Sequence, residues 1–437
     1  MAFLLNPVIV SIIVLCVLCV KKINVLLSII IATIIAGILS GMSIEAVMDN
    51  FIFGMGGNSE TALSYILLGA FAASMAHSGI TNCLAEKLTS IISEKKYLLI
   101  LLLAIISIAS QNIIPIHIAF IPIIIPPLIP LMNKLKIDRK LISTTLAFGL
   151  KMPYIALPVG FGLIFHNLIA DNLVQNGVNV LRADIWKSTF ILGIAMLVGF
   201  IVSLYIYRKP REYKINANIN NYLELKNEKT CSKYAILVTL LAAILTFVVQ
   251  ILTSSLPLGA LVGLGLIFSL KVISKDKMDH MMNEGIYMMG YVAFVMLVAA
   301  GFASVLKTSG AIEALVNSVI ILLPQNIILV SFIILIIGLF LTIGIGTSFG
   351  TIPILAVIFV PICVKLGFNP QQIVVLIAAA AALGDAGSPA SDTTLGPTAG
   401  LNVDGQHNHI FDTCIPTFIH YNTLLIIFAL VGVHILN

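Results

Sequence analysis

Apolar segments long enough to cross a lipid bilayer recur along this chain from end to end. A hydrocarbon core about 30 Å thick requires roughly 20 apolar residues per helix, and only helices or closed barrels satisfy their backbone groups inside it. Hydrophobic residues make up 59% of the chain and charged residues 10%, with a mean hydropathy of +1.10. The sequence therefore predicts an all-α polytopic membrane protein without a soluble catalytic domain.

The order of these segments predicts about ten membrane spans plus two re-entrant hairpins and two discontinuous helices. Residues 1–59 contain N-terminal spans, and the first of them, 4–20, lacks the cleavage signature of a signal peptide. A basic linker with connecting spans occupies 208–285. The remaining segments form two units, 60–207 and 286–436.

The two units repeat each other at a fixed distance. A shift of 231 residues aligns FAASMAHSG (71–79) with FASVLKTSG (302–310) without a gap. The same shift pairs Pro122 with Pro353 and Pro158 with Pro389. Because the charge distribution places their starts on opposite sides of the membrane, we expect inverted repeats, an architecture of secondary transporters.

Each unit should contain one hairpin and one discontinuous helix. The hairpins are predicted at 97–132 and 326–366, and the discontinuous helices at 140–170 and 370–400. For 97–132 the alternative is two complete spans with a short outer loop, at the cost of some hydrophobic mismatch. A re-entrant hairpin is favoured by the polar tip SQNIIPIH, since irregular backbone is tolerated only in protein or a wet cavity.

Basic loops mark the cytoplasmic side of a membrane protein. The linker 208–233 carries seven Lys/Arg against three Glu, so we expect it inside and both termini outside. Loops of this kind also account for the net charge of +5, which therefore does not indicate nucleic-acid binding. The six cysteines are scattered and show neither metal-ligand spacing nor a disulfide framework.

The motif GDAGSPASDTTLGP (384–397) interrupts an Ala-rich apolar helix and carries two acids, Asp385 and Asp392. Charges at membrane depth are expensive and are usually tied to ion or substrate handling. We predict both carboxylates as Na⁺ ligands, with neighbouring hydroxyls as further ion or substrate ligands: Ser388, Ser391, Thr393 and Thr394. The alternative is an extramembrane loop with ordinary Gly, Ser, Pro and Asp turn chemistry.

The repeat aligns this motif with LKMPYIALPVGFG (150–162), which has no acid but contains Lys151. A buried lysine there could take the place of a cation, pair with Asp385 or Asp392, or bind a substrate carboxylate. Alternatively, it snorkels to the cytoplasmic edge. Lys151 lies roughly 16 Å of helix beyond Lys140, too deep for easy snorkelling, so we predict a functional role.

Neutral oxygen and nitrogen groups occupy the predicted hairpin tips. Such groups suit alkali cations, which prefer oxygen ligands (by analogy with), although hydroxyls in membrane helices often bond their own backbone instead. The candidate ligands are Ser110, Gln111 and Asn112 in the first tip, with Thr347 and Ser348 in the second.

The sequence GDAGSPASDTT resembles the signature of the NhaC-type sodium/proton antiporter family, and the whole span pattern is similar to the YuiF-like branch of the ion transporter superfamily. The resemblance implies inverted repeats, re-entrant hairpins and an elevator-like motion. It places the family motif on Gly384, Asp385, Ser388, Pro389, Ser391, Asp392, Thr393 and Thr394. The first unit departs from a symmetrical two-cation site, because Lys151 stands there without an acid.

We therefore predict a secondary active transporter of the Na⁺/H⁺ antiporter type in the cell membrane, with no resident cofactor beyond the coupling Na⁺ or H⁺. The alternative is an ion-coupled permease for an amino acid, for example histidine, or an organic acid. An intramembrane enzyme is a remote alternative, because its acids belong on separate facing helices. The expected partners are the lipid bilayer, a small cation and an amino-acid or carboxylate substrate. The sequence leaves open whether the chain forms a homodimer, and no nucleic-acid partner is expected.

Overall fold

In a computed structural model of the chain, the described part comprises residues 6–21, 23–80, 95–112, 117–214, 232–253, 255–322, 326–345, 347–389 and 391–436. These residues form helices and no strand. Five described helices are long and apolar enough to cross a membrane, or six if one bent pair counts as a single span. The all-helical membrane class is confirmed, while the number of ten spans and the re-entrant course of the hairpins stay predictions.

Nine helices are described before the linker, and one of them was not predicted. Helix α3 begins after Ser43, whose side chain accepts a hydrogen bond from the Ala46 amide, and Glu45 lies in its first turn. Both features stabilise a helix N-terminus. The nine are α1 (Pro7–Val20), α2 (Val25–Leu39), α3 (Ile44–Met55), α4 (Ser59–His77), α5 (Lys96–Asn112), α6 (His117–Lys134), α7 (Arg139–Ala156), α8 (Phe161–Gln175) and α9 (Ile185–Ile206).

After the linker, of which 215–231 lie outside the described residues, nine further helices are described. One of them, α12, begins at Met278, before the start predicted for the second unit at 286. They are α10 (Lys233–Thr253), α11 (Leu256–Ser269), α12 (Met278–Thr308), α13 (Ala311–Leu322), α14 (Ile327–Ile345), α15 (Ser348–Lys365), α16 (Pro370–Ala382), α17 (Asp392–Leu401) and α18 (His409–Ile435). Helix α18 is π-helical at His409–Cys414 and Phe418–Asn422.

The helix boundaries follow the register of the sequence repeat. Three helices of the first unit begin 231 residues before their counterparts: α6 and α15 at His117 and Ser348, α7 and α16 at Arg139 and Pro370, α8 and α17 at Phe161 and Asp392. The packing is also reciprocal, because α8 contacts α15 while α17 contacts α6. The half-helix that follows each break thus packs on the other unit.

The first discontinuous helix breaks between α7 and α8, where the axis bends by 45°. Pro158 has no amide hydrogen and disfavours helical geometry at Leu157. Gly160 then takes a φ of +57°, which glycine adopts readily. His166 Nε2 lies 2.9 Å from the Ile155 carbonyl and donates to it, so the break does not leave that carbonyl unpaired inside the membrane.

The second discontinuous helix breaks between α16 and α17. Gly384 and Gly387 have φ angles of +81° and +111°. The Asn422 side chain on α18 bridges the break, because its Nδ2 donates to the Ala386 carbonyl at 3.0 Å and its Oδ1 accepts from the Gly384 amide at 3.3 Å. Both breaks predicted from the sequence are therefore present, each with side-chain partners for its freed backbone.

Helices α4 and α12, the first long helices of the two units, pack closely against each other. A Cβ atom on Gly69 would lie 2.7 Å from the Gly285 carbonyl oxygen, so their backbones approach at small residues, as is typical of membrane helices. Helices α4 and α12 therefore cross each other in close contact beside the discontinuous helices.

Candidate functional site

The two discontinuous helices meet at an ion pair. Lys151 Nζ, in α7, lies 2.6 Å from Asp385 Oδ2, in the break between α16 and α17. The Lys151 side chain is 0% exposed and that of Asp385 5%. Isolated buried charges are costly, so each stabilises the other, and neither reaches bulk water. Of the interactions predicted for Lys151, the structure contains the pairing with Asp385, while its role in transport stays a prediction.

Three hydroxyl groups complete the surroundings of the Asp385 carboxylate. Ser348 Oγ donates to Oδ2 at 2.6 Å, and the Tyr154 hydroxyl lies 3.3 Å from the same oxygen. Ser391 Oγ donates to Oδ1. Tyr154 and Ser348 are also hydrogen-bonded to each other at 2.9 Å. Hydrogen bonds to an ionised carboxylate are stronger than neutral ones, so this network fixes the position of the Asp385 carboxylate.

Two helix N-termini also approach this carboxylate. Ser348 is the first residue of α15, and Ser391 is the N-cap of α17, where it accepts from the Thr393 amide at 3.2 Å. The N-terminal end of a helix carries a partial positive charge. A carboxylate between two such ends, an ammonium group and three hydroxyls occupies a strongly anion-favouring position.

The other hydroxyls of the motif mainly stabilise the break. Ser388 Oγ donates to the Ile343 carbonyl at 3.3 Å, and Thr394 Oγ1 donates to the Ser388 carbonyl at 2.6 Å. Thr393 Oγ1 lies 2.8 Å from Ser391 Oγ and 3.4 Å from the Asp385 carbonyl oxygen. Thr393 therefore contacts the Asp385 carboxylate through the Ser391 hydroxyl, whereas Ser388 and Thr394 stabilise the backbone of the break.

The predicted hairpin tips contribute unequally. Among the tip residues that the structure describes, Ser348 contacts Asp385. Ser110 donates to the Ser107 carbonyl of its own helix at 3.0 Å, Gln111 is buried, and the Thr347 carbonyl accepts from Thr351. Residues 113–116 and the side chains of Asn112 and Asp392 lie outside the described part, so their roles stay predictions.

Two residues of the site were not predicted, Tyr154 and Asn422. Tyr154 could have been found, because it lies 231 residues before Asp385 and the repeat register aligns the two positions. No signal in the sequence pointed to Asn422. Its position opposite the break of α16 and α17 depends on how α18 packs.

A second buried ion pair lies at the start of α7. Arg139 Nη1 and Nη2 donate to Asp404 Oδ1 and Oδ2 at 2.6 and 2.5 Å, and both side chains are 0% exposed. Arg139 also donates to the Leu401 carbonyl at the end of α17 at 2.9 Å. This pair ties the beginning of one discontinuous helix to the end of the other.

A water-accessible cavity of about 460 Å³ lies near the ends of α8 and α12. Its polar lining includes Asn58, Asn172, Asn176 and Lys307, and neither Lys151 nor Asp385 lines it. Among the residues that the structure describes, this cavity and the buried ion pair are therefore separate.

Comparisons with known proteins agree with this architecture. A model of the Na⁺/H⁺ antiporter family matches residues 145–433, and a second model, of the Na⁺-H⁺ antiporter family, matches residues 6–92. A membrane protein of Vibrio parahaemolyticus is 42% identical over 99% of this chain and 100% of its own length. YuiF of Bacillus subtilis, named as a candidate amino acid transporter, is 42% identical over 91% of each chain.

A solved structure shares the fold. The YdaH transporter of Alcanivorax borkumensis superposes with a TM-score of 0.56, covering 90% of this chain and 88% of its own, at 14% sequence identity. At this identity the likeness supports the fold alone.

Proposed function

Because the chain belongs to the Na⁺/H⁺ antiporter family, we propose that it exchanges Na⁺ for H⁺ across the cell membrane, with Asp385 as the ion-binding carboxylate. The family match confirms the resemblance given by the GDAGSPASDTT motif. It also identifies the chain as a transporter and not an enzyme. The basic linker 208–233 would face the cytoplasm.

One observation carries the proposal: the Lys151 ammonium nitrogen lies 2.6 Å from Asp385 Oδ2, and both side chains are buried. Removing one partner from a buried ion pair typically costs about 3–5 kcal/mol, because the other charge is left uncompensated. In the proposed cycle Asp385 is therefore always paired with a positive charge, supplied either by Lys151 or by a bound cation.

This requirement couples the two ions. A Na⁺ ion that takes the place of the ammonium group would be held by oxygen atoms already at the site: the Asp385 carboxylate and the hydroxyls of Ser348, Ser391 and Tyr154. Lys151, left without its partner in a dry environment, would lose its proton, because burial disfavours the charged amine. Na⁺ binding and proton binding then exclude each other at one site.

Alternating access requires a movement, since the ion pair is buried. In the proposed motion, the two discontinuous helices, α7–α8 and α16–α17, shift together against the crossed helices α4 and α12. The close approach of Gly69 and Gly285 supports the assignment of α4 and α12 to the stationary part. The Arg139–Asp404 pair supports movement of the two discontinuous helices as one body.

The second candidate function is ion-coupled uptake of an amino acid. It is favoured by the presence of one buried positive and one buried negative group, which match the carboxylate and ammonium groups of a zwitterion. The relative YuiF, named as a candidate amino acid transporter, supports the same alternative. In this case substrate entry would separate Lys151 from Asp385.

A proteoliposome experiment distinguishes the two functions on one preparation. Antiport predicts that an imposed Na⁺ gradient drives proton flux, followed with an internal pH dye, in the absence of any amino acid. Permease activity predicts ion-dependent accumulation of a labelled amino acid and no Na⁺-driven proton flux without it. Liposomes containing Asp385→Asn serve as the matched control, and activity equal to wild type in that variant would refute the proposed site.

A further inference from the structure

A cluster of three potential metal ligands lies where α4 ends and α12 begins, away from the Lys151–Asp385 pair. His77 Nδ1 is 3.4 Å from Glu284 Oε2, and His280 Nε2 is 3.8 Å from Glu284 Oε1. The ligand atoms of the three residues all lie within 4.8 Å of one another. We propose that His77, His280 and Glu284 bind a divalent transition-metal ion of the zinc type.

The spacing of these atoms suits a tetrahedral ion. Zn²⁺ binds histidine nitrogen and carboxylate oxygen at about 2.0–2.2 Å, which places neighbouring ligand atoms of a tetrahedron roughly 3.4 Å apart. The separations of 3.4 and 3.8 Å, each to a different oxygen of Glu284, are close to this value. The limit of 4.8 Å for the whole set means that the side chains must move inward on binding. Two imidazoles and one carboxylate are a ligand set that zinc uses in proteins, with water in the fourth position.

The backbone already holds the ligands in place. His280 and Glu284 are one helical turn apart on α12, so their side chains share a face. Gly285, next to Glu284, lies against α4, because a Cβ on Gly69 would meet the Gly285 carbonyl at 2.7 Å. His77 then projects from the last turn of α4 toward Glu284. A site built on two closely packed helices loses little entropy on binding.

The ligands are also accessible to an ion from solution. The side chains of His77 and Glu284 are 27% and 38% exposed, and that of His280 is 61% exposed. The neighbouring basic residues Lys271, Lys275 and Lys277 place this end of α12 on the cytoplasmic side by the positive-inside rule. Bound metal would pin α4 to α12 at this end.

The test is metal binding by the purified full chain, which is independent of transport. Zn²⁺ titrated against a chromogenic chelator should show one site per chain, and Co²⁺ should develop the visible absorption of tetrahedral coordination. Separate His77→Ala, His280→Ala and Glu284→Gln substitutions should each weaken Zn²⁺ binding at least tenfold and abolish the Co²⁺ spectrum. His434→Ala, which removes an exposed histidine at the far end of α18, should leave both unchanged.

Thermal unfolding gives a second measurement. Zn²⁺ should raise the unfolding temperature of the wild type, because a ligand bound only by the folded state stabilises it, and this rise should disappear in Glu284→Gln. The proposal is overturned if the wild type shows no stoichiometric Zn²⁺ site, or if all three ligand variants bind Zn²⁺ as tightly as wild type.

Discussion

Tyr154 and Asp385 occupy equivalent positions of the two repeated units, 231 residues apart, and the Tyr154 hydroxyl lies 3.3 Å from Asp385 Oδ2. The same position therefore carries a hydroxyl donor in one unit and its carboxylate acceptor in the other. Lys151 precedes Tyr154 by less than one helical turn. The two units thus contribute different groups to the charged site at Lys151 and Asp385.

Lys151 should control the competition between Na⁺ and protons. In Lys151→Ala the internal competitor for Asp385 is gone. The change in the Na⁺ concentration for half-maximal transport across the working pH range should therefore be at least tenfold smaller than in the wild type. Lys151→Arg should also fail, because a forked guanidinium does not fit the space of an ammonium group. The measurement is Na⁺-driven proton flux in proteoliposomes at several pH values. Unchanged curves with a normal maximal rate would show that Lys151 is not part of the ion site.

Asp385→Asn should abolish ion-coupled transport while the protein still inserts and remains folded. A neutral amide cannot compensate the charge of Na⁺ or of the Lys151 ammonium group. The same outcome is predicted for Asp392→Asn from the sequence motif. Transport and detergent-solubilised yield are measured together, and wild-type flux with unaltered Na⁺ dependence in either variant would make that acid structural.

Tyr154→Phe should change ion affinity without changing the fold. The ring contacts with Phe165 and Phe349, at centroid distances of 5.2 and 5.3 Å, are retained, and only the hydroxyl near Asp385 is lost. One hydrogen bond is worth about 0.5–1.5 kcal/mol, so the Na⁺ half-saturation should shift roughly two- to twelvefold. Ser348→Ala should produce a similar or larger shift, because Ser348 donates at 2.6 Å. A Na⁺ half-saturation equal to that of the wild type in both variants would contradict the proposed ligand set.

Gly384→Ala should destabilise the break of the second discontinuous helix. Gly384 has a φ of +81°, and a Cβ there would lie 2.8 Å from the backbone atoms Ile343 N and Leu339 O. Backbone strain of this kind costs about 1–3 kcal/mol, which thermal unfolding in detergent detects. Gly396→Ala is the matched control, because nothing lies within 4 Å of its added Cβ, and it should be neutral or slightly stabilising. A Gly384→Ala variant as stable as wild type would refute this interpretation.

The Arg139–Asp404 pair should make stability depend on pH. Burial raises the pKa of Asp404, but the hydrogen bonds and charge of Arg139 outweigh it and hold the pKa below its usual value. The stabilisation is therefore complete above the ordinary carboxyl pKa of about 3.9 and is lost as the pH falls through the lowered value.

Asp404→Asn tests this pair directly. At neutral pH it leaves Arg139 buried without a counter-ion, which should cost about 3–5 kcal/mol. The difference from wild type should shrink on acidification. Glu212→Gln removes the exposed partner of Lys136 and should have no measurable effect. Equal unfolding temperatures for Asp404→Asn and wild type at neutral pH would show that the pair does not stabilise the protein.

The sequence by itself determined the class of fold and the positions of the two breaks. Both are local properties: apolar run length decides whether a helix can cross a membrane, and Pro158, Gly384 and Gly387 interrupt helices because of their own backbone chemistry. The acid of one discontinuous helix and the base of the other, Asp385 and Lys151, were identified for the same reason. Charge at membrane depth stands out against an apolar background.

The tertiary structure alone decided which groups meet. Lys151 pairs with Asp385, and Ser348, Ser391 and Tyr154 turn toward the same carboxylate while Ser110 stays within its own helix. Helix α3 has too few apolar residues to be recognised as a span, and it was missed. The Asn422 bridge and the Arg139–Asp404 pair join positions 36 or more residues apart. Such contacts depend on how helices pack across the whole chain, which no local pattern of residues specifies.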